Sequence, residues 1–147
     1  MGRRAKGWQC YDASGDTSDG GGNLHSFKEK VLLPILPKVK NKLSALDVGC
    51  GNGRHCKVLS EIFDRVVGID IDYPFDNRFN LDNVTFYQKD FSEVSGHKFD
   101  LILFWGSFYN MQNYRETLRM CYELLTDDGI VVIGDEPIRR TDMGESG

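Results

Sequence analysis

Short apolar runs alternate with polar connections along most of this chain. The runs with the length and β-branched content of buried strands are Ser44–Val48, Arg65–Ile69, Val84–Gln88, Phe99–Phe104 and Ile130–Ile133. Apolar residues at helical spacing follow the first run, and a second such pattern predicts a helix from about Asn113 to Leu125. Strands that alternate with connections of this kind predict a parallel sheet with right-handed crossovers.

The residues before the first strand lack this alternation. Residues 1 to 25 are polar and include three consecutive glycines, Gly20 to Gly22. Ser26 to Glu29 fits a capping box, which predicts a helix that starts at Phe27. Pro34 and Pro37 are then expected to kink or end this helix.

These patterns predict a single domain over residues 1–147, since 147 residues leave little room for a second core. Within it we expect an N-terminal helical segment over residues 1–43, a ligand-binding core over residues 44–134 and a tail over residues 135–147.

Composition excludes several classes of partner. The chain has 18 basic and 22 acidic residues, so it lacks the basic footprint of a nucleic-acid-binding domain. No apolar run approaches the roughly 20 residues of a membrane span, and the start has no secretion signal, so we expect a cytoplasmic protein. The four cysteines form no C-x-x-C pair and no metal-like spacing with the histidines, and we expect no bound metal.

The connection after the first strand has glycine at alternate positions, Gly49, Gly51 and Gly53, with Asp47 two residues ahead of the first. Glycine permits a positive φ and leaves no Cβ between a ligand and the backbone. A triphosphate-binding loop would end in Gly-Lys-Ser/Thr, and a dinucleotide fingerprint would be G-x-G-x-x-G; this turn is G-x-G-x-G followed by Arg54. An acid placed like Asp47 suits a ligand with a cationic end, such as an amino-acid ammonium group.

Acidic residues also follow the second and third strands. In an open parallel sheet, ligands bind at the carboxyl ends of the strands. A carboxylate at Asp70 can accept hydrogen bonds from both hydroxyls of a ribose, and Asp90 with Phe91 offers an acceptor for an exocyclic amine beside an aromatic ring. Any one of these acids could instead cap a helix or form a turn. Together, behind the glycine turn, they predict a ligand with a cationic amino-acid end, a ribose and an adenine.

The stretch from Ala45 to Arg54 closely resembles the first motif of the class I S-adenosylmethionine-dependent methyltransferases, and the acids after strands two and three resemble the next two motifs. The resemblance extends through Phe99–Leu103 and the turn at Leu124–Gly129. It implies an α/β, Rossmann-like, mostly parallel sheet of about five strands with flanking helices, and S-adenosylmethionine as the cofactor. The cofactor-binding residues that it implies are Asp47, Gly49, Cys50, Gly51, Asn52, Gly53, Asp70, Ile71, Asp90, Phe91 and Phe104.

The chain departs from the family pattern in two places. Class I enzymes usually add a sixth and a seventh strand, and residues 137–147 are too few for either, which would leave strand five as an exposed edge. We hypothesise that a second subunit, in a homodimer, or the N-terminal segment covers this edge. After strand four, enzymes that methylate base amines have Asn/Asp-Pro-Pro-Tyr/Phe, whereas this chain has Trp105-Gly106-Ser107-Phe108, which disfavours an adenine or cytosine amine as acceptor.

We therefore predict methyl transfer from S-adenosylmethionine to a small molecule or an exposed nucleophile, with residues 1–40 as a lid. No catalytic base is identified; the candidates for a catalytic role are Tyr109, after strand four, and His25, in the N-terminal segment. Further candidates for contact with the acceptor are Trp8, Tyr11, Trp105, Asp135 and Glu136.

Two other interpretations stay open at this stage. The chain could bind S-adenosylmethionine or S-adenosylhomocysteine without turnover, for example as a partner subunit of a larger enzyme. It could also be a nicotinamide-dependent oxidoreductase, because glycine-rich turns bind dinucleotides as well. Neither composition nor spacing identifies the methyl acceptor.

Overall fold

A computed structural model describes residues 21–72 and 81–135 of the chain. The chain divides into two compact units, residues 1–40 and residues 41–147. The glycine turn, the acids after the strands and the five strands all belong to the second unit.

The described part of the first unit is helical from residue 21 to residue 38. Its consecutive segments are α1 (Gly21–Ser26), a π-helical turn (Phe27–Leu32), α2 (Leu33–Ile35) and a 3₁₀ turn (Leu36–Lys38). The predicted helix start at Phe27 is wrong, because Ser26 itself has helical φ and ψ of −61° and −42° and its side chain makes no capping hydrogen bond. Pro34 lies in the first turn of α2, where its missing N–H is tolerated, so the helix continues past it.

The second unit is built on a five-stranded, all-parallel sheet in the order β3-β2-β1-β4-β5. The strands are β1 (Ser44–Val48), β2 (Arg65–Ile69), β3 (Val84–Tyr87), β4 (Phe99–Trp105) and β5 (Leu125–Gly134). This topology confirms the predicted α/β, Rossmann-like class. β5 begins earlier than predicted, because Leu125 already pairs with Phe99 before a register shift, and regular pairing resumes at Ile130.

Two helices of the second unit flank the sheet: α3 (Arg54–Ser60) follows β1, and α4 (Tyr114–Leu124) connects β4 to β5. Short 3₁₀ turns lie at Phe91–Glu93 and Phe108–Asn110. Asn113 caps α4, since its side-chain oxygen accepts a hydrogen bond from the Glu116 amide at 3.0 Å. Within the described ranges, no helix combines the length and the apolar character that crossing a membrane requires.

Alternating side chains of the central strands face opposite sides of the sheet. One side contains the buried cluster of Leu46, Val48, Ile69, Ile102 and Phe104, together with Phe91, Phe99, Cys121 and Leu124. Asp47 and Gly68 lie at the alternate positions, and both are contacted by Cys56 of α3. The α3 side of the sheet is therefore the side to which the Asp47 carboxylate points.

The amino ends of the strands are joined by one buried carboxylate. Asp100 in β4 is 3% exposed and accepts hydrogen bonds from the amides of Leu43 and Ser44, at 2.9 and 3.1 Å, and from the Thr126 hydroxyl at 2.9 Å. It therefore connects the starts of β1, β4 and β5. Buried polar groups are stable only when they are paired in this way.

Candidate functional site

The acids and glycines of the predicted site come together at the carboxyl end of the sheet, where β1 lies between β2 and β4. The chain moves outward from β1 through β2 to β3 and then returns to pair β4 on the other side of β1. This reversal is the topological switch point at which open α/β sheets bind their ligands. The loop after β1 and the loop after β4 meet there.

The glycine loop is held by backbone hydrogen bonds. Its glycines Gly49, Gly51 and Gly53 have φ values of +73°, +55° and +87°. The amides of Gly49 and Cys50 both donate to the carbonyl of Ile69, at 2.8 and 2.9 Å, and the Gly53 amide donates to the Cys50 carbonyl at 2.9 Å. The loop thus turns tightly over the end of β2.

Asn52 connects the loop to the helix that follows it. Its side-chain oxygen accepts a hydrogen bond from the amide of Arg54, the first residue of α3, at 3.2 Å. This bond satisfies one of the amides that a helix start leaves unpaired. The side chain of Asn52 therefore has a structural role whether or not a ligand is bound.

Two glycines of the loop differ in the space beside them. A Cβ at Gly51 would meet no atom within 4 Å, whereas a Cβ at Gly49 would lie 2.7 Å from the Cβ of Ser107. Gly51 is thus the point at which the loop backbone faces open space and a ligand can approach it closely.

Ser107 joins the two loops at the switch point. It is 6% exposed, and its hydroxyl donates to the carbonyl of Val48 at 2.7 Å. Sequence reasoning did not single it out, because a serine after a strand is common. Only the pairing of β1 with β4 shows that it lies against the glycine loop.

Asp70 lies beside the open face of the loop. One carboxylate oxygen accepts the amide of Gly51 at 3.0 Å, and the other accepts the amide of Asp72 at 2.9 Å. A carboxylate has about four acceptor positions, so two stay available for the hydroxyls of a ribose. Ile71, the next residue, is 54% exposed, and the Gln88 side chain donates to its carbonyl at 3.0 Å. The position of both residues fits an adenosine.

Asp47 lies beneath the same loop and is only 2% exposed. Burial raises the pKa of its carboxyl to about 7, an effect that the hydrogen bond from the Cys56 thiol opposes and the charge of Asp70 reinforces. The thiol sulfur is 3.4 Å from the Asp47 carboxylate. A carboxylate in this state gains from a cationic ligand group, so the site fits the ammonium end of S-adenosylmethionine.

Two thiols pack beside Asp47. The sulfurs of Cys50 and Cys56 lie 3.0 and 2.8 Å from the position that a Cβ on Gly68 would take. The hydrogen bond with Cys50, burial and the charge of Asp47 all hold the pKa of Cys56 well above its usual value. Because the Cys50 side chain points into this packed region, its contact with a ligand would be made by its backbone.

Asp90 is the capping residue of the 3₁₀ turn that follows it. One of its oxygens accepts the amide and the hydroxyl of Ser92, and its own amide donates to Glu93 at 2.8 Å. In the capping box, the Asp90 side chain also accepts the backbone amide of Glu93. The alternative role of a helix cap is thus realised here.

Two predicted contact residues lie in the core instead of at the surface of the site. Phe104 is fully buried and Phe91 is 3% exposed, and their rings meet edge to face at 5.4 Å. Phe104 also packs edge to face on Phe108 at 5.2 Å. Both rings belong to the packed side of the sheet, opposite to Asp47, and their contact with the cofactor stays a prediction.

The candidate catalytic residues lie in different units. Tyr109 is 44% exposed in the 3₁₀ turn after β4, within the second unit. His25 is exposed in α1 of the first unit. Trp8, Tyr11 and Glu136, which were also considered for the acceptor, lie outside the described residues.

The ends of β4 and β5 form a second group of contacts near the loop. The Trp105 ring lies so close to Gly134 that a Cβ there would be 2.2 Å from the ring, and the His55 ring centroid is 6.1 Å away. The Gly106 amide donates to the Gly134 carbonyl at 2.8 Å, and Asp135 follows with a φ of +55°. His55 is half-buried.

A cavity of about 370 Å³ lies at the other end of the sheet. It is lined by Val94, Ser95, Gly96, His97, Lys98, Met120, Glu123 and Leu124. Because Lys98 precedes the first residue of β4, this cavity is at the amino ends of the strands and is separate from the switch point.

Known proteins share both the sequence pattern and the fold. The family described as "Methyltransferase domain" matches residues 22–142. A malonyl-[acyl-carrier protein] O-methyltransferase of Acetivibrio thermocellus is 33% identical over 100 residues, which is 63% of this chain and 35% of that protein. This chain thus spans about a third of the length of that curated relative.

Solved methyltransferase structures have the same fold. The sugar N-methyltransferase KedS8 of Streptoalloteichus superposes with a TM-score of 0.69 at 24% identity, over 95% of this chain and 62% of that one. The N-methyltransferase NodS of Bradyrhizobium japonicum superposes with a TM-score of 0.63 at 16% identity, over 86% of this chain and 75% of that one. At these identities the structures show the fold, and the family match extends over most of the chain. The chain therefore belongs to the class I S-adenosylmethionine-dependent methyltransferases, as its motifs indicated.

Proposed function

We propose that this chain binds S-adenosylmethionine at the switch point and transfers its methyl group to a small-molecule acceptor. The observation that supports this most strongly is the bond between the Gly51 amide and the Asp70 carboxylate, beside the open face of the loop. It brings a backbone that a ligand can approach together with an acceptor for ribose hydroxyls.

Each residue of this group has a separate role in the proposal. Asp47 neutralises the ammonium group of the cofactor, and Asp70 accepts the ribose hydroxyls. Ile71 covers one face of the adenine, and the Asp90 carboxylate accepts the adenine amine. Gly49 and Gly53 shape the loop so that the Gly51 backbone is exposed.

S-adenosylmethionine supplies, when bound, a methyl group on a sulfonium that a nucleophile displaces in line. The chain's own contribution to such a reaction is to hold the two reactants in near-attack geometry. A base is needed only where the acceptor retains its proton at neutral pH. Tyr109 and His25 stay candidates for that role.

A small acceptor is supported by the name of one similar structure, a sugar N-methyltransferase. The curated relative is a malonyl-[acyl-carrier protein] O-methyltransferase, whose name gives an acyl group carried by a protein. These names include both oxygen and nitrogen acceptors, so they support the reaction without selecting the acceptor atom.

Four further expectations stay predictions. The lid over residues 1–40 includes residues 1–20, which lie outside the described ranges. Among the described strands, β5 pairs only with β4, so its outer edge is where a second subunit of a homodimer would add. The cytoplasmic setting and the division into residues 1–43, 44–134 and 135–147 likewise stay predictions.

Calorimetry and a label-transfer assay test the proposal together. We expect S-adenosylmethionine and S-adenosylhomocysteine to bind, NAD not to bind, and a radiolabelled methyl group to appear in a small-molecule pool. Binding of both sulfur compounds with no transfer to any pool would favour the non-catalytic binding module. Tight binding of NAD alone would refute methyl transfer.

A further inference from the structure

Asp135 lies next to the loop that borders the cofactor site. A Cβ on Gly106 would be 3.4 Å from a carboxylate oxygen of Asp135, and Gly106 is followed by Ser107, which contacts Gly49. The Gly106 amide is bonded to the carbonyl of Gly134, the residue before Asp135. The carboxylate is therefore separated from the cofactor loop only by the turn after β4.

The backbone of Asp135 is in an uncommon conformation. Its φ of +55° makes it the only non-glycine residue of the described ranges with a positive φ. Aspartate tolerates this conformation better than most residues. The conformation lets the chain leave β5 while the carboxyl stays against Gly106.

Trp105 and His55 complete this group on the α3 side. The Trp105 ring covers the backbone of Gly134, where any side chain would collide with it, and the His55 ring is 6.1 Å from it. Burial, with a contribution from the positive charge of Arg54, holds the pKa of His55 at about 3. His55 is therefore neutral at physiological pH and does not repel a cation.

These side chains have the chemistry that binds an amine. A carboxylate accepts hydrogen bonds from N–H groups, and the face of an indole ring attracts the ammonium group that a neutral amine becomes once it has taken the methyl group. Desolvation raises the pKa of the Asp135 carboxyl, although the residue as a whole is exposed. A hydroxyl acceptor would gain less, since it has one donor and its methylated product is uncharged.

We infer that Asp135 and Trp105 bind the methyl acceptor and that the acceptor is a neutral amine, whose N–H group donates a hydrogen bond to the Asp135 carboxylate. The nitrogen lone pair forms the new N–C bond as the C–S bond breaks, S-adenosylhomocysteine leaves, and the surplus N–H proton passes to solvent by way of the Asp135 carboxylate. This inference rests on the proposed function, because it needs the cofactor to lie at the glycine loop. It adds the class of acceptor and the residues that select it.

Sinefungin tests the position of Asp135 without a known acceptor. In this analogue a carbon that bears an amino group replaces the sulfonium and its methyl group, so its ammonium lies where the transferred methyl would be. The dissociation constants of sinefungin and of S-adenosylhomocysteine would be measured by calorimetry for the wild type, Asp135→Asn and Asp127→Asn. The last variant is a matched control, since Asp127 is exposed in the irregular part of β5.

We expect Asp135→Asn to weaken sinefungin about tenfold, the loss typical of a charge-assisted hydrogen bond, and to leave S-adenosylhomocysteine within about twofold. Asp127→Asn should change neither constant. If S-adenosylhomocysteine still binds and the ratio of the two dissociation constants in Asp135→Asn equals that of the wild type, the inference is overturned. If the wild type binds neither compound, the proposed function fails, and this inference fails with it.

The acceptor class has its own test. Wild-type protein with radiolabelled S-adenosylmethionine would be incubated with a mixture of small amines and, separately, with a mixture of alcohols and carboxylic acids. We expect label in the amine mixture and a loss of about tenfold in the transfer rate for Asp135→Asn. Label confined to the alcohols and acids would overturn the inference.

Discussion

Asp47 and Asp70 both lie at the glycine loop and differ in what surrounds them. Asp70 is half-buried and accepts two backbone amides, whereas Asp47 is almost fully buried beside the Cys56 thiol. The described residues give Asp47 no cationic partner. Replacing each acid should therefore have a different effect on the free protein.

Asp47→Asn should make the free protein more stable at alkaline pH. The pKa of Asp47 is about 7 in the folded protein and 3.8 as its ordinary value, so the wild-type free energy of unfolding falls as pH rises from about 4 to about 7. The variant should gain up to about 4 kcal/mol over the wild type at pH 8 and little at pH 4. Urea unfolding at both values measures this.

If the variant and the wild type differed in unfolding free energy by the same amount at pH 4 and at pH 8, the raised pKa of Asp47 would be contradicted. The other titratable groups that face Asp47 are Cys50, Cys56 and Asp70, and all three are retained in the variant. Asp64→Asn, at an exposed position after α3, is a suitable control for the loss of one charge.

Asp70→Ala should weaken S-adenosylmethionine binding by about 1.5–3 kcal/mol, because charge-assisted hydrogen bonds to the ribose are lost. Asp72→Ala is the matched control, since the Asp72 contact with Asp70 is made by its backbone amide and survives the change. It should alter the binding free energy by less than about 0.5 kcal/mol. Equal losses in the two variants, measured by calorimetry, would mean that Asp70 is misassigned.

At the scale of elements, Ser107 connects the turn after β4, in which it lies, to the glycine loop after β1. Its hydroxyl is bonded to Val48, and its Cβ occupies the space beside Gly49. On the other side of the loop, Gly51 faces open space. Two glycines with similar backbone angles are therefore required for different reasons.

Gly49→Ala should destabilise the free protein more than Gly51→Ala. Both variants force an alanine into a positive φ, at a cost of about 1–2 kcal/mol, but only Gly49→Ala adds a contact of 2.7 Å with Ser107. That overpacking should cost about 1–3 kcal/mol more. Urea unfolding measures the free energy of unfolding of both variants. Relative to its loss of unfolding free energy, Gly51→Ala should show the larger loss of cofactor affinity by calorimetry. The reverse order of stabilities would refute this distinction.

Removal of the buried Asp100 carboxylate should lower the free energy of unfolding more than the loss of any one hydrogen bond that it accepts. Asp100→Ala leaves two amides and one hydroxyl without their acceptor, and we expect a loss of about 3 kcal/mol or more in the free energy of unfolding. Thr126→Val removes only one of the three bonds and should cost about 1 kcal/mol. Similar losses for the two variants, by chemical denaturation, would show that Asp100 does not join the strands as described.

At the scale of the whole molecule, the sheet could be predicted because its central strands are continuous apolar runs. β1 and β2 have the bounds expected from the sequence. The start of β5 was not predicted, because polar residues 126–129 interrupt its pairing after Leu125. The helix before Phe27 was not predicted either, because the preceding residues have no apolar period.

The site could be predicted in part for the same reason. Motif spacing brought the glycine loop and Asp70 together correctly, because both lie at strand ends. It did not separate a residue that faces the site from one that faces the core. Phe104 and Trp105 are adjacent in β4, and the period of two residues places them on opposite sides of the sheet. Asp135 was a candidate from its place after strand five, and the structure adds its positive φ and its position against Gly106.

The junction at Ser107 divides the molecule into two sets of residues that could be inherited separately. Every group assigned to the cofactor lies before it in the chain. Of the groups assigned to the acceptor side, Tyr109 and Asp135 lie after it, Trp105 lies two residues before it, and His25 and His55 lie earlier in the chain. Recombination in the stretch from Trp105 onward could therefore exchange one acceptor for another while cofactor recognition is preserved. Such an exchange is constrained at one point, because the incoming segment must keep a small hydroxyl side chain against Gly49.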